Sequence, residues 1–156
     1  MLRHLKAIRA ARRPGRERLL TFRRRERYAP VAGMLEEYAW RGYFFVTTDG
    51  IGRPGFLNDR QIRELDKRGH VIGSHSCSHP ERMSRGPWER LLAEWKASTE
   101  RPASSVSHAV KVASVPGGYY SRRVAETAAA AGIETLFTSE PKADVRTVNG
   151  CRVLGR

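Results

Sequence analysis

Short apolar runs alternate along this chain with segments of helical periodicity. The apolar runs with strand character are Leu19–Phe22, Tyr43–Thr47, Val71–Ile72, Ala109–Val115 and Ile133–Thr138. The segments with apolar positions at helical spacing are 29–40, 58–68, the stretch that follows Pro87, and 121–132. This alternation is typical of repeated βα units, so the pattern predicts an α/β fold with a mainly parallel sheet.

Capping residues indicate where the helices begin and end. Asn58 is a good N-cap, and Gln61 three residues later completes the capping-box pattern. Gly69 supplies a stop after that helix, and Pro87 suits the first turn of the next one. Ser121 is the expected cap of the alanine-rich helix that follows.

Two further segments carry turn signals rather than helical or strand periodicity. Residues 102–107 begin with a proline and are rich in serine, which predicts a loop. Near the end of the chain, Asn149-Gly150 separates two short β-prone segments, 145–148 and 152–154. This dipeptide favours a tight hairpin turn, so the two segments are expected to pair.

Length and composition favour one cytoplasmic domain. The 156 residues suffice for one hydrophobic core. The sequence has no run of ~18 apolar residues, and residues 1–18 lack the apolar stretch of a secretory signal. With Cys77 and Cys151 as its two cysteines, the chain is not expected to depend on a disulfide framework.

The net charge of +13 is concentrated near the start of the chain. Residues 1–27 hold eleven basic and two acidic side chains, which leaves +9 there and +4 in the other 129 residues. We therefore divide the chain into a basic arm, 1–18, and a domain, 19–156. Such an arm is suited to phosphate backbones or an anionic membrane surface. Since no zinc-finger or helix-turn-helix pattern accompanies it, nucleic acid is disfavoured as a partner.

Polar loops with chemical potential follow three of the predicted strands. They are Thr48-Asp49-Gly50, His75-Ser76-Cys77-Ser78-His79, and the segment from Pro116 to Tyr120. The carboxyl ends of parallel strands share one edge, so these loops are expected to meet there. Two imidazoles four residues apart suit a divalent metal, although the same histidines could bond to backbone in an ordinary polar loop. Asp49 is either a third ligand or a turn residue, and Cys77 either a ligand or a packed side chain.

Together these residues resemble the polysaccharide deacetylase family, also described as the NodB-homology domain or carbohydrate esterase family 4. His75-Ser76-Cys77-Ser78-His79, preceded by Gly-His-Val-Ile-Gly-Ser, matches the second motif of that family, H-[ST]-x-x-H. Gly42-Tyr43-Phe44-Phe45-Val46 resembles its second strand. Ser114-Val115-Pro116-Gly117-Gly118-Tyr119 falls where its third motif, R-x-P-x-G, is expected.

The resemblance implies a distorted (β/α) barrel that removes an N- or O-acetyl group from a carbohydrate by hydrolysis. His75 and His79 would hold a divalent metal, most simply zinc, together with an aspartate. Gly117 would offer a backbone N–H to the oxyanion. Pro116, Gly118, Tyr119 and Tyr120 would contact the acetylated oligo- or polysaccharide.

The chain departs from this family pattern at the first motif, T-F-D-D-G. The matching residues are Thr21-Phe22-Arg23-Arg24-Arg25, so Arg23 stands at the position of the catalytic base. A guanidinium neither ligates a metal nor accepts a proton near neutral pH. One hypothesis is a short out-of-frame window, since GAC-GAC-GGN after a C, read one base early, becomes CGA-CGA-CGG. The expected late motifs are also missing before Arg156, which predicts a barrel incomplete at its C-terminus.

Three functions are consistent with these observations. The leading one is metal-dependent deacetylation of a carbohydrate. The first alternative is an inactive deacetylase-like domain that binds carbohydrate or a protein partner through the same loops. The second is a basic protein that binds nucleic acid or a membrane surface through residues 1–27.

Overall fold

A seven-stranded sheet organises the protein. The computed structural model describes residues 17–21, 28–141 and 144–155. The strands are β1 (Glu17–Thr21), β2 (Arg41–Val46), β3 (Val71–Ser74), β4 (Val112–Ser114), β5 (Thr135–Phe137), β6 (Val145–Val148) and β7 (Cys151–Leu154). The helices are α1 (Tyr28–Glu37), α2 (Asp59–Lys67), α3 (Trp88–Val106) and α4 (Arg122–Ala130).

The strand order makes the sheet mainly parallel, as the sequence predicts. In space the strands follow the order β1-β2-β3-β4-β5-β7-β6. Every neighbouring pair is parallel except β6 and β7, which form an antiparallel hairpin. Asn149 and Gly150 both have positive φ at its turn, which confirms the predicted Asn-Gly hairpin. The α/β class and the helix-strand alternation are therefore confirmed.

The two faces of the sheet bury different sets of aromatic side chains. Because successive strand residues point to opposite faces, Phe44 and Phe45 of β2 enter separate clusters. Phe44 packs with apolar residues of α1 and α2, whereas Phe45 meets Phe137 of β5 with ring centroids 5.7 Å apart. Both sides of β2 are thus buried, as expected of a central parallel strand.

Helix α3 corrects one prediction. Residues 102–107 were expected to form a loop, but α3 continues through Pro102 to Val106 and ends at Ser107, whose φ is 62°. Burial of Val106 in the α2 side of the core favours this extension. The Ser105 hydroxyl also donates to Asp59 Oδ1 of α2 at 2.5 Å. These tertiary contacts offset the cost of an interior proline.

The predicted capping residues mostly have their expected roles. Asn58 and Gln61 form a reciprocal capping box at α2, with N···O distances of 2.9 and 3.0 Å. Ser121 accepts from Val124 N at the start of α4. Pro87 lies one residue earlier than expected, at the N-cap of α3 rather than in its first turn. Local sequence thus determines these helix starts to within one residue.

A partly buried charged cluster of Glu36, Arg68 and His70 joins α1 to the amino end of β3, and His70 is its fully buried member. His70 Nδ1 accepts from Gly42 N at 3.1 Å, so its other ring nitrogen carries the proton and donates to Glu36 Oε1 at 3.0 Å. Glu36 also receives two hydrogen bonds from Arg68, at 2.8 and 2.9 Å. Chiefly because of Arg68, the pKa of Glu36 falls from 4.5 to about 2. Burial lowers the pKa of His70.

This cluster predicts acid-sensitive stability that depends on Glu36. The ionised Glu36 carboxylate stabilises the fold fully above pH 4.5, and this stabilisation is lost as the pH falls toward about 2. Burial also lowers the pKa of His70, so the unfolded state binds a proton at this histidine more readily than the folded state does. The fold therefore loses further stability as the pH falls below 6.5, the ordinary pKa of histidine. Glu36→Gln should lower the free energy of unfolding at pH 7 by about 1–2 kcal/mol. It should also flatten the decline between pH 4.5 and 2, measured by chemical denaturation across pH.

The matched control is Glu37→Gln, a substitution at the exposed neighbouring position on α1. That variant should follow the wild-type stability profile. Equal profiles for Glu36→Gln and the wild type would contradict a role for this carboxylate in acid sensitivity.

Candidate functional site

The loops that follow β2 and β3 are joined by backbone hydrogen bonds. Thr48 N donates to Ser76 O at 3.3 Å, and Asp49 N donates to Cys77 O at 3.0 Å. These bonds continue the parallel pairing of β2 and β3 beyond the strand ends. The predicted meeting of the Asp49 loop with the histidine loop is therefore confirmed.

His75 is fixed at the end of β3 by contacts with two neighbouring strands. Its backbone N donates to Val46 O of β2 at 2.8 Å, and its side chain is buried. Its ring Nδ1 lies 2.7 Å from Ser114 Oγ and 3.1 Å from Ser114 O on β4. Since a carbonyl oxygen only accepts, Nδ1 is assigned the proton and Nε2 the lone pair. This tautomer presents Nε2 as a ligand or base.

The turn from Ser76 to His79 brings the second imidazole beside the first. Ser76 and His79 have φ values of 62° and 58°, the left-handed region that non-glycine residues seldom adopt. His79 N donates to Ser76 Oγ at 3.0 Å across the turn. The two imidazole centroids lie 5.0 Å apart, edge to face. The turn thus places the side chains of His75 and His79 next to each other.

A chain of hydroxyl groups anchors the beginning of this turn to α3. Ser98 Oγ donates to Trp95 O at 3.0 Å, so the Ser74 hydroxyl is the donor in the 2.6 Å contact between the two serines. Ser74 Oγ in turn accepts from Ser76 N at 3.2 Å. The first half of the turn is therefore attached to a buried part of the helix.

Glu94 of α3 is a site residue that sequence reasoning missed. Its Oε2 accepts from Cys77 N at 3.0 Å and from Ser78 N at 2.9 Å. Its Oε1 accepts from Ser78 Oγ at 2.5 Å. Within the sequence, Glu94 resembles any polar residue on an amphipathic helix. No local pattern distinguishes it from the exposed Glu100 on the same helix.

Asp49 and Cys77 contact each other at the outer side of the turn. Cys77 Sγ donates to Asp49 Oδ1 at 3.1 Å. Burial is the main reason why the pKa of the Cys77 thiol is raised, and the Asp49 carboxylate adds to it. The thiol form therefore predominates at neutral pH. Asp49 is the middle residue of a short 3-10 turn, Thr48–Gly50, and lies next to the histidine loop.

The loop after β4 completes this edge of the sheet through two glycines. Val115 N donates to Phe137 O at 2.9 Å, which keeps the loops after β4 and β5 adjacent. Gly117 and Gly118 have φ values of 61° and 75°. A Cβ on Gly118 would overlap the side chain of Ser139. This close approach requires glycine at position 118.

The aromatic residues of this loop differ in exposure. Tyr119 is 47% exposed. Tyr120 is half-buried and packs against the core cluster around α3 and α4, where burial raises the pKa of its phenol. Tyr119 therefore offers an accessible ring beside the loop, whereas Tyr120 has a packing role as well.

The donor set around His75 and His79 fits a divalent metal in part. Two neighbouring imidazoles, one with its tautomer fixed, are suitable zinc ligands. Within residues 17–21, 28–141 and 144–155, however, no group of three histidine, cysteine, aspartate or glutamate side chains is placed to hold a metal ion. Arg23, Arg24 and Arg25 lie outside the described residues, as does residue 26. The described part of the site therefore offers two candidate ligands, His75 and His79.

Comparison with known proteins identifies the family. The polysaccharide deacetylase family model matches residues 12–136, which is most of the chain. The chain belongs to the polysaccharide deacetylase family. A relative by sequence is the candidate polysaccharide deacetylase YxkH of Bacillus subtilis (strain 168), 24% identical over 121 residues. That match covers 78% of this chain and 43% of YxkH.

Solved deacetylases share the fold of this family member. The Streptococcus pyogenes deacetylase PplD, solved with acetate, superposes with a TM-score of 0.78 at 18% identity. The match covers 88% of this chain and 61% of PplD, so the chain spans less than two thirds of either relative. This likeness confirms the predicted α/β fold of the NodB-homology type.

One structural relative of this deacetylase-family chain is described as lacking activity. It is BA3943 from Bacillus anthracis, a carbohydrate esterase family 4 pseudoenzyme. Its TM-score is 0.66 at 15% identity, with 76% of this chain and 41% of that chain covered. A BA3943 mutant, also solved, has restored enzymatic activity. The fold therefore occurs in both active and inactive proteins.

The close approach at Gly118 predicts a larger stability loss on substitution than at another glycine of positive φ. Gly52 is the matched control, since its φ is 81° and a Cβ there meets no heavy atom within 4 Å. Gly52→Ala should cost about 1 kcal/mol of unfolding free energy through backbone strain. Gly118→Ala should cost about 1–3 kcal/mol more through overlap with Ser139. Chemical denaturation measures both, and equal losses would contradict the close approach.

Proposed function

We propose that this deacetylase-family chain acts on an acetylated oligo- or polysaccharide at the edge formed by the loops after β2, β3, β4 and β5. The observation that carries this proposal is the pairing of His75 and His79, with Nδ1 of His75 held by Ser114. The reaction of this site is hydrolytic removal of an N- or O-acetyl group, and it requires aspartates at the two positions that Arg23 and Arg24 occupy in the chain as encoded. A bound divalent metal, most simply zinc, would polarise the acetyl carbonyl and activate water.

The residues of this edge have distinct proposed roles. His75 and His79 would hold the metal. Gly117 offers a backbone N–H to the oxyanion, since its loop allows close backbone approach. Tyr119 contacts a sugar ring through its exposed face. Pro116, Gly118 and Tyr120 shape the wall of the same groove.

A cavity next to the histidine turn supports a carbohydrate ligand. It has a volume of about 280 Å³ and lies between residues 80–86 and α3. Its wall combines the apolar side chains of Met83 and Leu91 with charged groups that include Arg82 and Arg90. Such a mixture of apolar surface and a few polar groups is common in ligand sites.

Hydrolysis also needs a carboxylate as general base, and the encoded chain has arginines at the matching positions. Asp49 is proposed as a substitute ligand, which would require its carboxylate to leave the Cys77 thiol and to move, since the described residues contain no three-ligand group. Because a guanidinium would repel the cation and cannot accept a proton, we propose that Arg23 and Arg24 prevent turnover in the chain as encoded.

A second candidate function is binding of carbohydrate without hydrolysis. Two observations favour it: the arginines at positions 23 and 24, and the two-imidazole donor set within the described residues. The likeness to BA3943 is consistent with it as a fold-level comparison.

The third possibility is binding through the basic residues 1–27, most of which lie outside the described residues. Salt-sensitive binding that disappears when these residues are deleted would support it. Of the described helices, none is long and apolar enough to cross a bilayer.

The out-of-frame hypothesis makes a prediction about the gene. If residues 23 to about 27 result from a shifted reading frame, codons 23–25 should read CGA-CGA-CGG. Sequencing the coding DNA around codon 23 tests this directly. Any other arginine codons at these three positions would contradict the hypothesis, and the arginines would then be part of the encoded protein.

Restoring the two aspartates should restore hydrolysis. With zinc supplied, Arg23→Asp/Arg24→Asp should release acetate from an N-acetylated oligosaccharide about 100-fold or more faster than the encoded chain. Arg12→Asp/Arg13→Asp changes charge equally within the basic segment and should leave the rate at the encoded level. Adding His75→Asn to the restored chain should abolish release.

Each result of this assay decides between the candidate functions. Ready acetate release by the encoded chain would contradict the proposed effect of the arginines. If the restored chain binds zinc and oligosaccharide yet releases no acetate, the binding function is favoured. Absence of both zinc and oligosaccharide binding would contradict the carbohydrate proposals.

A further inference from the structure

Glu94 of α3 holds the second half of the histidine turn through one carboxylate. We infer that Glu94 is a positioning residue that keeps His79 beside His75. Its two oxygens accept three hydrogen bonds, from Cys77 N at 3.0 Å, Ser78 N at 2.9 Å and Ser78 Oγ at 2.5 Å. The metal-related part of this inference rests on the proposed function, whereas the conformational part stands on the geometry of the turn.

The turn needs such support because its backbone is strained. Ser76 and His79 both adopt the left-handed conformation without being glycine. Each such residue carries a conformational cost, and these residues persist where the surroundings hold them in place. Two consecutive N–H groups that point to one carboxylate form an anion-binding nest. Hydrogen bonds to an ionised acceptor are stronger than neutral ones, so Glu94 is well suited to stabilise this turn.

The two histidines depend on different anchors. His75 is held by Val46 of β2 and by Ser114 of β4, at the end of a paired strand. His79 lies four residues further on, and the residues just before it, Cys77 and Ser78, are held by Glu94. Loss of the carboxylate should therefore displace His79 more than His75.

This asymmetry gives Glu94 a role distinct from general support of α3. The buried part of α3 is joined to β3 through Ser98 and to α4 through Trp95, whose indole N–H donates to Val124 O, and neither contact involves Glu94. Removal of the Glu94 carboxylate should leave these contacts in place. The expected effect is thus confined to the turn and its imidazole.

The test uses Glu94→Gln, Glu94→Ala and Ser78→Ala in the full chain. Glu100→Gln is the control, an exposed glutamate on the same helix. Amide hydrogen exchange at Cys77 and Ser78, measured by NMR, should be about tenfold faster in Glu94→Ala and little changed in the control. The His79 ring resonances should shift more than those of His75. Zinc affinity should fall about tenfold in Glu94→Gln, with the melting temperature nearly unchanged.

The outcomes separate this inference from the proposed metal function. If the wild type binds no zinc but the turn amides and His79 respond as expected, the metal proposal fails and the positioning role stands. If exchange at Cys77 and Ser78 is unchanged in Glu94→Ala, the positioning role is wrong. Uniformly faster exchange across β3 and α3 in all Glu94 and Ser78 variants would likewise overturn it, since that result indicates general destabilisation.

Discussion

Parallel pairing of β2, β3 and β4 is the constraint on which the rest of this structure depends. Parallel strands bring their carboxyl ends to one edge, so three loops distant in sequence become neighbours. Their pairing also requires crossover helices, and α2 and α3 provide them while burying one face of the sheet. The candidate site is thus a direct consequence of strand direction.

The histidine turn joins this edge to the helical layer. Ser74 and Ser98 connect its beginning to α3, and Glu94 holds its second half. On the other side, Ser114 fixes the ring of His75 from β4. The sequence has serine at the position where the family pattern has arginine, so a neutral side chain that orients an imidazole stands in place of a cation. In the neutral imidazole, this geometry places the proton of His75 on Nδ1 and the lone pair on Nε2.

Charge distinguishes the two ends of the sheet. At the amino end, the Glu36 carboxylate accepts hydrogen bonds from Arg68 and from the ring N–H of His70, and these contacts stabilise the fold. At the carboxyl end, two imidazoles lie together, and a third protein ligand is not found among the described side chains. The polysaccharide deacetylase fold is preserved around this candidate site, and the sequence has Arg23 and Arg24 where the family resemblance predicts the two aspartates of the first motif.

The sequence by itself determined the α/β class, the capping box at Asn58, the Asn-Gly hairpin and the loops that would meet at one edge. These features depend on local periodicity, on caps and on glycine, whose effects act over a few residues. Only the tertiary structure decided that α3 continues to Val106, that Ser114 orients His75 and that Glu94 holds the turn. These contacts join residues 16 to 46 positions apart in the chain. They depend on how helices and strands pack, which short-range patterns do not encode.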